Sequence, residues 1–407
     1  MSRRTTGLLL ALLMIAVLTL STTSIGAVKN VDVGLLATIS GDLSEVGNMG
    51  ANAVKLAVEN INKNGGIKAL GGAKINLIVG DTTSDFSQSV LVAQRLVNNN
   101  KLSGMLGAGV SGMALAVAPV LEKAKIPFLT AAIADNLTTL GYKYMFQFCP
   151  KGSQFGGMQA DFLKYLQQKF NLPVDKVAIV YENTAYGQST AKGIRDLCEK
   201  HGFNIVTEEA YPKNFTDAAP LVTKVRAAGA TVIFPVSYTT DAALILSTMT
   251  AMNYKPVVIG GGAGFIWPEF YRSLGKYAEG VYSVGSWSWD TKFNLSDPEV
   301  VEAIKSWEKK YKTFMPEIAG EMYCATYILK EAIELAKSTD ATDIRNALTK
   351  VKLTKGAGAM MQPGIVEFDE YGWNKHVHPT IIQWQNGVVK TVYPVEDTDN
   401  EIVWALK

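Results

Sequence analysis

Short β-rich runs alternate with helical runs along most of this chain, and the alternation limits the possible folds more than any other feature. Val31–Ala37, Lys74–Asp81, Met105–Gly109 and Pro127–Ala132 predict strands, with helical patterns between them. A β-α-β-α-β-α-β order favours a parallel sheet with helices on both faces. The same alternation begins again after Pro150. The predicted fold class is therefore α/β, with two doubly wound parallel sheets.

Capping residues predict where some helices begin and end. The helix predicted over Met49–Asn62 stops at the Asn-Gly-Gly sequence of residues 64–66. The polar segment Ser40–Asn48 before it contains glycines and predicts a loop. Ser84 or Asp85 is expected to cap the following helix.

The last third of the chain predicts a long helix and a hairpin. Helical periodicity covers Glu321–Ser338, and a turn at Asn386-Gly387 joins the predicted strands Thr380–Gln385 and Val388–Tyr393. His376 and His378 lie on another predicted strand, so both rings face one side. No third ligand is near them in sequence, so we expect a solvated pair, with no metal site and no cofactor.

The first 27 residues have the three-part pattern of a secretory signal peptide. Arg3 and Arg4 precede the apolar run Gly7–Leu20, and a small, polar segment with a plausible cleavage site follows. The run has 14 residues, whereas a membrane span needs about 20. Residues 1–27 are therefore predicted to be removed on export to the periplasm, and no cysteine near the cut offers a lipid anchor.

Charge and cysteine content exclude some classes of protein. The chain has 39 basic and 37 acidic residues, and the signal peptide holds two of the basic ones, which leaves 37 of each. Nucleic-acid binders usually carry a basic surplus, so no nucleic-acid partner is expected. Cys149, Cys198 and Cys324 are too few for a disulfide framework, although one pair could bridge after export. We expect all three to be free thiols.

The glycine-rich segment Gly107–Gly112 fits the pattern G-x-G-x-x-G, and it follows a predicted strand and precedes a helix. Asp135 lies where a ribose-binding acid would stand. Dinucleotide binding is nevertheless disfavoured, because the segment follows the third strand rather than the first and export removes the protein from cytosolic nicotinamide cofactors. The segment is either a tight turn or a site where backbone N–H groups and the Ser111 hydroxyl bind a small anion such as a carboxylate.

Hydrolase and nucleotide-binding motifs are incomplete. Gly109–Met113 nearly matches G-x-S-x-G, but Met113 stands where a glycine is needed. Gly260–Gly264 is not followed by the lysine of a P-loop. Aromatic residues instead gather at predicted strand ends of the second unit, where they favour a ligand cleft. They are Tyr186, Tyr238, Phe265, Trp267, Trp287 and Trp289.

Several short segments, in their order and spacing, are typical of one family. They are Val33–Leu35, Thr38–Gly41, Ala57–Asn62, Gly65–Ile67, Ile126–Leu129, Val180–Asn183, Tyr186–Gly187, Phe368–Asp369, Gln383–Trp384 and Val392–Pro394. On these segments the chain resembles the type I periplasmic solute-binding proteins of branched-chain amino-acid ABC transporters, the leucine/isoleucine/valine-binding class. The resemblance covers nearly the whole mature chain.

The resemblance implies a receptor rather than an enzyme. It implies two lobes joined by a hinge of three crossings, with residues 28–148 and 285–379 in lobe I and 149–284 and 380–407 in lobe II. The lobes would close on a small amino acid, or a related carboxylate or amide, for delivery to an ABC permease, and the protein would be a monomer. A receptor for aromatic or other hydrophobic carboxylates without an α-amine is the alternative. An exported enzyme or a sensory ligand-binding domain is less favoured.

The resemblance also assigns ligand contacts. The hydroxyl that binds the ligand carboxylate corresponds to Ser111, next to Gly112, and a backbone contact corresponds to Ala132. Two aromatic contacts correspond to Tyr186 and Tyr238.

Three family positions carry different residues here. The family's threonine near the carboxylate falls on Ala134, the first-loop aromatic falls near Val46, and the acid that holds the α-ammonium falls on Gly262. Further residues that could contact the ligand or replace the missing acid are Trp267, Glu182, Asp241 and Glu269.

Overall fold

The structure is a computed structural model that describes residues 30–172, 174–213 and 215–403. The predicted signal peptide lies outside these ranges. No helix within them has the length and apolar character needed to cross a membrane.

The first sheet has five parallel strands in the order β2-β1-β3-β4-β5. The strands are β1 (Asn30–Ala37), β2 (Lys74–Asp81), β3 (Gly104–Gly107), β4 (Phe128–Thr130) and β5 (Met145–Gln147). Helices α1 (Ser44–Lys63), α2 (Phe86–Asn99) and α3 (Ser111–Ala124) connect the first four. β1 pairs with β2 along its whole length, so both strands end at the same edge of the sheet.

The second sheet, within the described residues, has seven strands in the order β14-β13-β10-β9-β8-β6-β7. They are β6 (Lys176–Glu182), β7 (Asn204–Tyr211), β8 (Val232–Val236), β9 (Val257–Gly260), β10 (Tyr282–Gly285), β13 (Thr380–Gln385) and β14 (Val388–Tyr393). The helices along this part of the chain are α4 (Gly152–Phe170), α5 (Ala185–His201), α6 (Ala219–Ala227), α7 (Thr239–Ala251) and α8 (Pro268–Leu274). Every residue of β8 is buried, as expected for a central strand covered on both faces.

The α/β fold class is confirmed, but the second sheet is not wholly parallel. β13 pairs antiparallel with β10 and with β14. The hairpin turn is as predicted, because Asn386 and Gly387 both have positive φ, 54° and 78°, which a tight two-residue hairpin requires.

The chain between β10 and β13 returns to the first sheet. It forms α9 (Lys292–Ser296), α10 (Pro298–Tyr311), α11 (Glu317–Ala336), α12 (Ala341–Leu348) and the short strands β11 (Lys352–Leu353) and β12 (Val366–Glu367). Helix α11 packs on α1 and on β3. Its Leu329 lies 2.9 Å from the position that a Cβ would take on Gly104. We propose on this packing that 28–148 with 285–379 and 149–284 with 380–407 are the two lobes.

The segment predicted as a loop at Ser40–Asn48 is half helical, since α1 begins at Ser44. The second of its two glycines, Gly47, lies inside the helix, where a Cβ would come within 2.0 Å of the Thr38 carbonyl oxygen. The glycine therefore allows α1 to approach the end of β1. The predicted cap of α2 is confirmed: Asp85 accepts a hydrogen bond of 2.7 Å from the Gln88 N–H.

The strand predicted for the two histidines is wrong. Residues 376–378 form a connection, which Gln154 holds through a hydrogen bond to the Val377 carbonyl. His376 lies 3.2 Å from Glu367, and His378 contacts its neighbour Pro379. No group of three His, Cys, Asp or Glu within the described ranges could hold a metal ion.

Candidate functional site

A cavity of about 90 Å³ lies between the two sheets, where strands of both units end. One water occupies about 10–15 Å³ by this measure, so the space suits a ligand of roughly six to nine non-hydrogen atoms. The segments after β1, β3 and β4 line one side, and the starts of α5 and α7 line the other. The contributing residues include Leu36, Thr38, Val46, Gly109, Ser111, Ile133, Tyr186, Tyr238, Trp267, Glu317, Ile318, Glu321 and Met322.

Ser111 forms a polar end of the cavity. It is the first residue of α3 and is 2% exposed. The N-cap is Val110, whose side chain accepts no hydrogen bond. Ser111 Oγ accepts a 3.1 Å hydrogen bond from the Ala134 N–H, so the serine ties two strand-end segments together. The free N–H groups and dipole of the first helical turn favour negative charge beside Ser111.

Aromatic rings form the opposite wall. The rings of Tyr186 and Tyr238 lie 5.3 Å apart, and the Tyr186 hydroxyl donates a 2.7 Å hydrogen bond to the Gly261 carbonyl. Burial raises the pKa of both phenols well above the usual value, so both stay neutral. Trp267 Nε1–H is buried and has no partner within the described residues. The residue itself lines the cavity.

Two glutamates lie one helical turn apart at the start of α11 and line the same cavity. Glu317 Oε1 accepts hydrogen bonds from the backbone N–H and the hydroxyl of Ser286. Glu321 is 4% exposed, and its Oε1 accepts from the Ser286 hydroxyl and, at 3.5 Å, from the Cys149 thiol. Burial raises the pKa of both carboxyls, and the charge of Glu321 raises that of Glu317 further.

The acid pair was not found from the sequence, because the helix was predicted to begin at Glu321. Glu317 therefore lay outside the predicted helix. Glu321 lay in its first turn, where acidic residues usually face solvent. The available signal was the uncharged run 322–329 that follows Glu321. Its first five residues are all buried and span more than one helical turn, so the helix is interior on every side at this point.

Five of the residues singled out from the sequence line the cavity together. They are Ser111, Tyr186, Tyr238, Val46 and Trp267.

Four of the residues predicted to contact the ligand do not line the cavity and lie behind its wall. A Cβ on Gly112 would meet the Phe86 ring at 2.5 Å. Ala132 and Ala134 turn their carbonyls to Gln147 Nε2. Gly262 lies behind Phe155, and its N–H donates to Ser283 Oγ at 3.1 Å.

The acids expected to replace the missing one at position 262 do not reach this cavity. Glu182 is fully buried and accepts a hydrogen bond from Thr184. Asp241 and Glu269 line a separate cavity nearer the surface, which shares only Val46, Tyr238 and Trp267 with the first. Burial and the charge of Glu182 raise the pKa of Asp241 to about 6.

Ion pairs join the two units at the mouth of this outer cavity. Lys213 lies 3.3 Å from Asp42, and Arg272 lies 2.7 Å from Glu45. In each pair the acidic residue precedes α2 in sequence and the basic residue follows β7. The two units are thus in contact on the open side of the cleft.

Two open α/β units that face each other across a small, mostly apolar cavity define a binding protein for small solutes. The chain matches the family model for periplasmic binding protein over residues 30–370 and belongs to this family. The predicted resemblance to the type I solute-binding receptors is thereby confirmed.

Known relatives cover almost the whole chain. Leu/Ile/Val-binding protein homolog 7 of Brucella abortus is 31% identical over 385 residues, which are 92% of this chain and 94% of the relative. Homolog 8 of Brucella melitensis is 29% identical over 382 residues, 92% and 93% of the two chains.

Solved structures share the fold. The branched-chain amino acid transporter substrate binding protein LivJ from Streptococcus pneumoniae, in complex with isoleucine, superposes with a TM-score of 0.79 at 23% identity, over 90% of this chain and all of the other. The leucine binding protein LivK from Thermotoga maritima gives 0.77 at 19% identity, over 89% and 97%.

Proposed function

We propose that this receptor binds a small α-amino acid with an apolar side chain and delivers it to the permease of an ABC importer. The observation that carries the proposal is the cavity itself, which is small, lined by both units and mostly apolar. The names of the relatives support it, since LivJ was solved with isoleucine and the Brucella proteins are Leu/Ile/Val-binding homologues.

Each part of such a ligand has a place in the wall. Ser111 and the first turn of α3 offer donors to the carboxylate. Val46, Ile318 and Met322 offer aliphatic contacts to a branched side chain. Burying a side chain of this size stabilises a complex by about 1.5–3 kcal/mol.

The cellular setting follows from the same reading. The signal peptide predicted over residues 1–27 sends the protein to the periplasm, where it works as a monomer and meets a membrane permease. The receptor catalyses no reaction. It binds the ligand and releases it to the permease.

A hydrophobic carboxylate without an α-amine is the second candidate ligand. The observation in its favour is Gly262, which stands where the family holds an acid for the α-ammonium and which has no side chain to bind an amine. The two candidates differ in one chemical group, so a ligand panel separates them.

The test is a thermal-shift panel followed by calorimetry. L-leucine, L-isoleucine and L-valine are compared with amine-free acids, aromatic acids and amides. A ligand at 100 times its Kd stabilises the protein by about 2.7 kcal/mol. We expect stabilisation by the branched-chain amino acids. A response to amine-free acids alone would replace the proposed ligand by the second candidate.

A further inference from the structure

We propose that Glu317 and Glu321 bind the α-ammonium group of the ligand and replace the acid that is missing at position 262. The inference rests on the proposed function and adds the residues that distinguish an amino acid from an amine-free acid. It is carried by the position of the pair, by the charge of the cavity wall and by the donors that reach the two carboxylates.

The pair lies beside the segment that carries Ser111. Ile318 Cδ1 is 3.2 Å from the position of a Cβ on Gly109, two residues before that serine. The start of α11 therefore packs against the same loop that offers donors to a carboxylate. An α-amino acid holds its two charged groups on one carbon, and this wall has an anion-binding and an acidic group side by side.

The cavity wall contains two acids and, within the described residues, no lysine, arginine or histidine. Glu321 is almost fully buried. An ionised carboxylate in such a place is costly unless a cation compensates it. A ligand with an ammonium group supplies that cation, whereas an amine-free carboxylate adds a third negative charge.

The donors that reach the pair in the described residues are too few for two ionised carboxylates. An ionised carboxylate can accept about four hydrogen bonds. The pair receives the N–H and the hydroxyl of Ser286 and the weak thiol donor of Cys149. The hydroxyl has one proton, although it lies between both carboxylates. An ammonium group brings three more donors.

The other acids near the cleft have partners of their own. Glu182 accepts a hydrogen bond from Thr184. Burial raises the pKa of Glu182 and of Asp241, and the charge of Lys213 offsets part of that effect for both. Glu269 accepts a 2.8 Å hydrogen bond from Arg272. These contacts, together with their positions outside the cavity, leave the α11 pair as the acids that face a ligand at Ser111.

The experiment is calorimetric titration of L-leucine and of 4-methylpentanoate, which is leucine without its amino group. The proteins are the wild type, Glu317→Gln, Glu321→Gln, Asp241→Asn in the outer cavity and, as a control far along the same helix, Glu334→Gln. We expect the wild type to prefer leucine at least about 100-fold. Glu317→Gln and Glu321→Gln are each expected to lose roughly 10- to 100-fold in leucine affinity, but not in affinity for 4-methylpentanoate. The Glu334→Gln control is expected to match the wild type.

A second measurement needs no variant. In the free protein the pair retains a proton, and binding of an ammonium group displaces it to the buffer. Cys149, Tyr186 and, on α11, Cys324 also face the pair, but burial keeps their pKa values far above neutrality. Titration of leucine at pH 7 in two buffers of different ionisation enthalpy is therefore expected to show release of nearly one proton.

The outcomes separate the inference from the proposed function. Leucine binding that is equally tight in the wild type and both cavity variants, without proton release, would overturn the inference and leave the receptor function intact. A loss confined to Asp241→Asn would move the amine to the outer cavity and also overturn it. Failure of all three branched-chain amino acids to bind the wild type would refute the proposed ligand, and the inference with it.

Discussion

Replacing Glu321 by glutamine should stabilise the ligand-free protein while it weakens ligand binding. Glutamine keeps an acceptor for the Ser286 hydroxyl and removes the charge. Burial raises the pKa of the Glu321 carboxyl to about 7, whereas an unfolded chain has a glutamate pKa of about 4.3. The folded protein therefore prefers the neutral acid, and its stability falls as pH rises between these two values.

The size of the effect follows from that interval. One pKa unit corresponds to about 1.36 kcal/mol, so the full interval corresponds to about 4 kcal/mol. A single substitution next to Glu317 should recover part of this free energy of unfolding, roughly 1–3 kcal/mol at pH 8. For a chain of this length that amounts to about 1–4 °C in Tm. At pH 4.5 the difference between the variant and the wild type should shrink to about 0.5 kcal/mol, because Glu321 is protonated in the folded protein and only about half ionised in the unfolded chain.

The assay is thermal unfolding of both proteins, without ligand, at several pH values from 4.5 to 8. Glu334→Gln is the matched control on α11. In the wild type, burial disfavours the charged form of Glu334. Hydrogen bonds from the N–H groups of Ala69 and Lys68 outweigh burial and lower the pKa of Glu334. Its charged form thus contributes stability above the usual glutamate pKa, so the control should be destabilised at neutral pH. A Glu321→Gln protein that is less stable than the wild type at pH 8 would refute the reasoning.

Three further predictions address other parts of the molecule. Ser111→Ala should weaken leucine binding about tenfold in calorimetry and cost about 1–3 kcal/mol of stability, because the Ala134 N–H loses its acceptor; unchanged affinity would remove the serine from the site. Gly107→Ala should lower the free energy of unfolding in urea by about 3 kcal/mol or more, because φ at Gly107 is 116° and a Cβ would lie 2.0 Å from a backbone carbonyl oxygen. The control Gly71→Ala should lower it by only about 1 kcal/mol, because a Cβ at Gly71 would meet nothing within 4 Å. The three cysteines are free and buried, so a thiol reagent should label none in the folded protein and three after denaturation without reductant.

Elements with a strong local pattern were predicted with their boundaries. β2 and both strands of the C-terminal hairpin have the predicted ends, because apolar runs there are bounded by turn residues. The start of α1 was missed, since the glycine and polar residues before it are typical of loops. Only the approach of Thr38 to Gly47 explains why a helix needs a glycine there.

The candidate site was predicted in part. Ser111, Tyr186 and Tyr238 follow strands directly, and parallel strands bring such residues to one edge of each sheet. The acids of α11 come from a helix that follows β10 of the second sheet in sequence but packs on the first sheet. Local patterns carry no information on that return, which only the family resemblance implied, and the position of both acids in the cavity with Ser111 was seen first in the structure.

The return of α11 to the first sheet and of the β13–β14 hairpin to the second has a consequence for folding. Neither unit is formed by one continuous stretch of chain. Each unit contains a segment that is synthesised only after most of the other unit. The first unit lacks a covering helix until residue 336, and the second lacks two strands until residue 393. Contacts this distant in sequence close slowly. The chain therefore stays unfinished during synthesis, which would suit the export in an unfolded form that the predicted signal peptide implies.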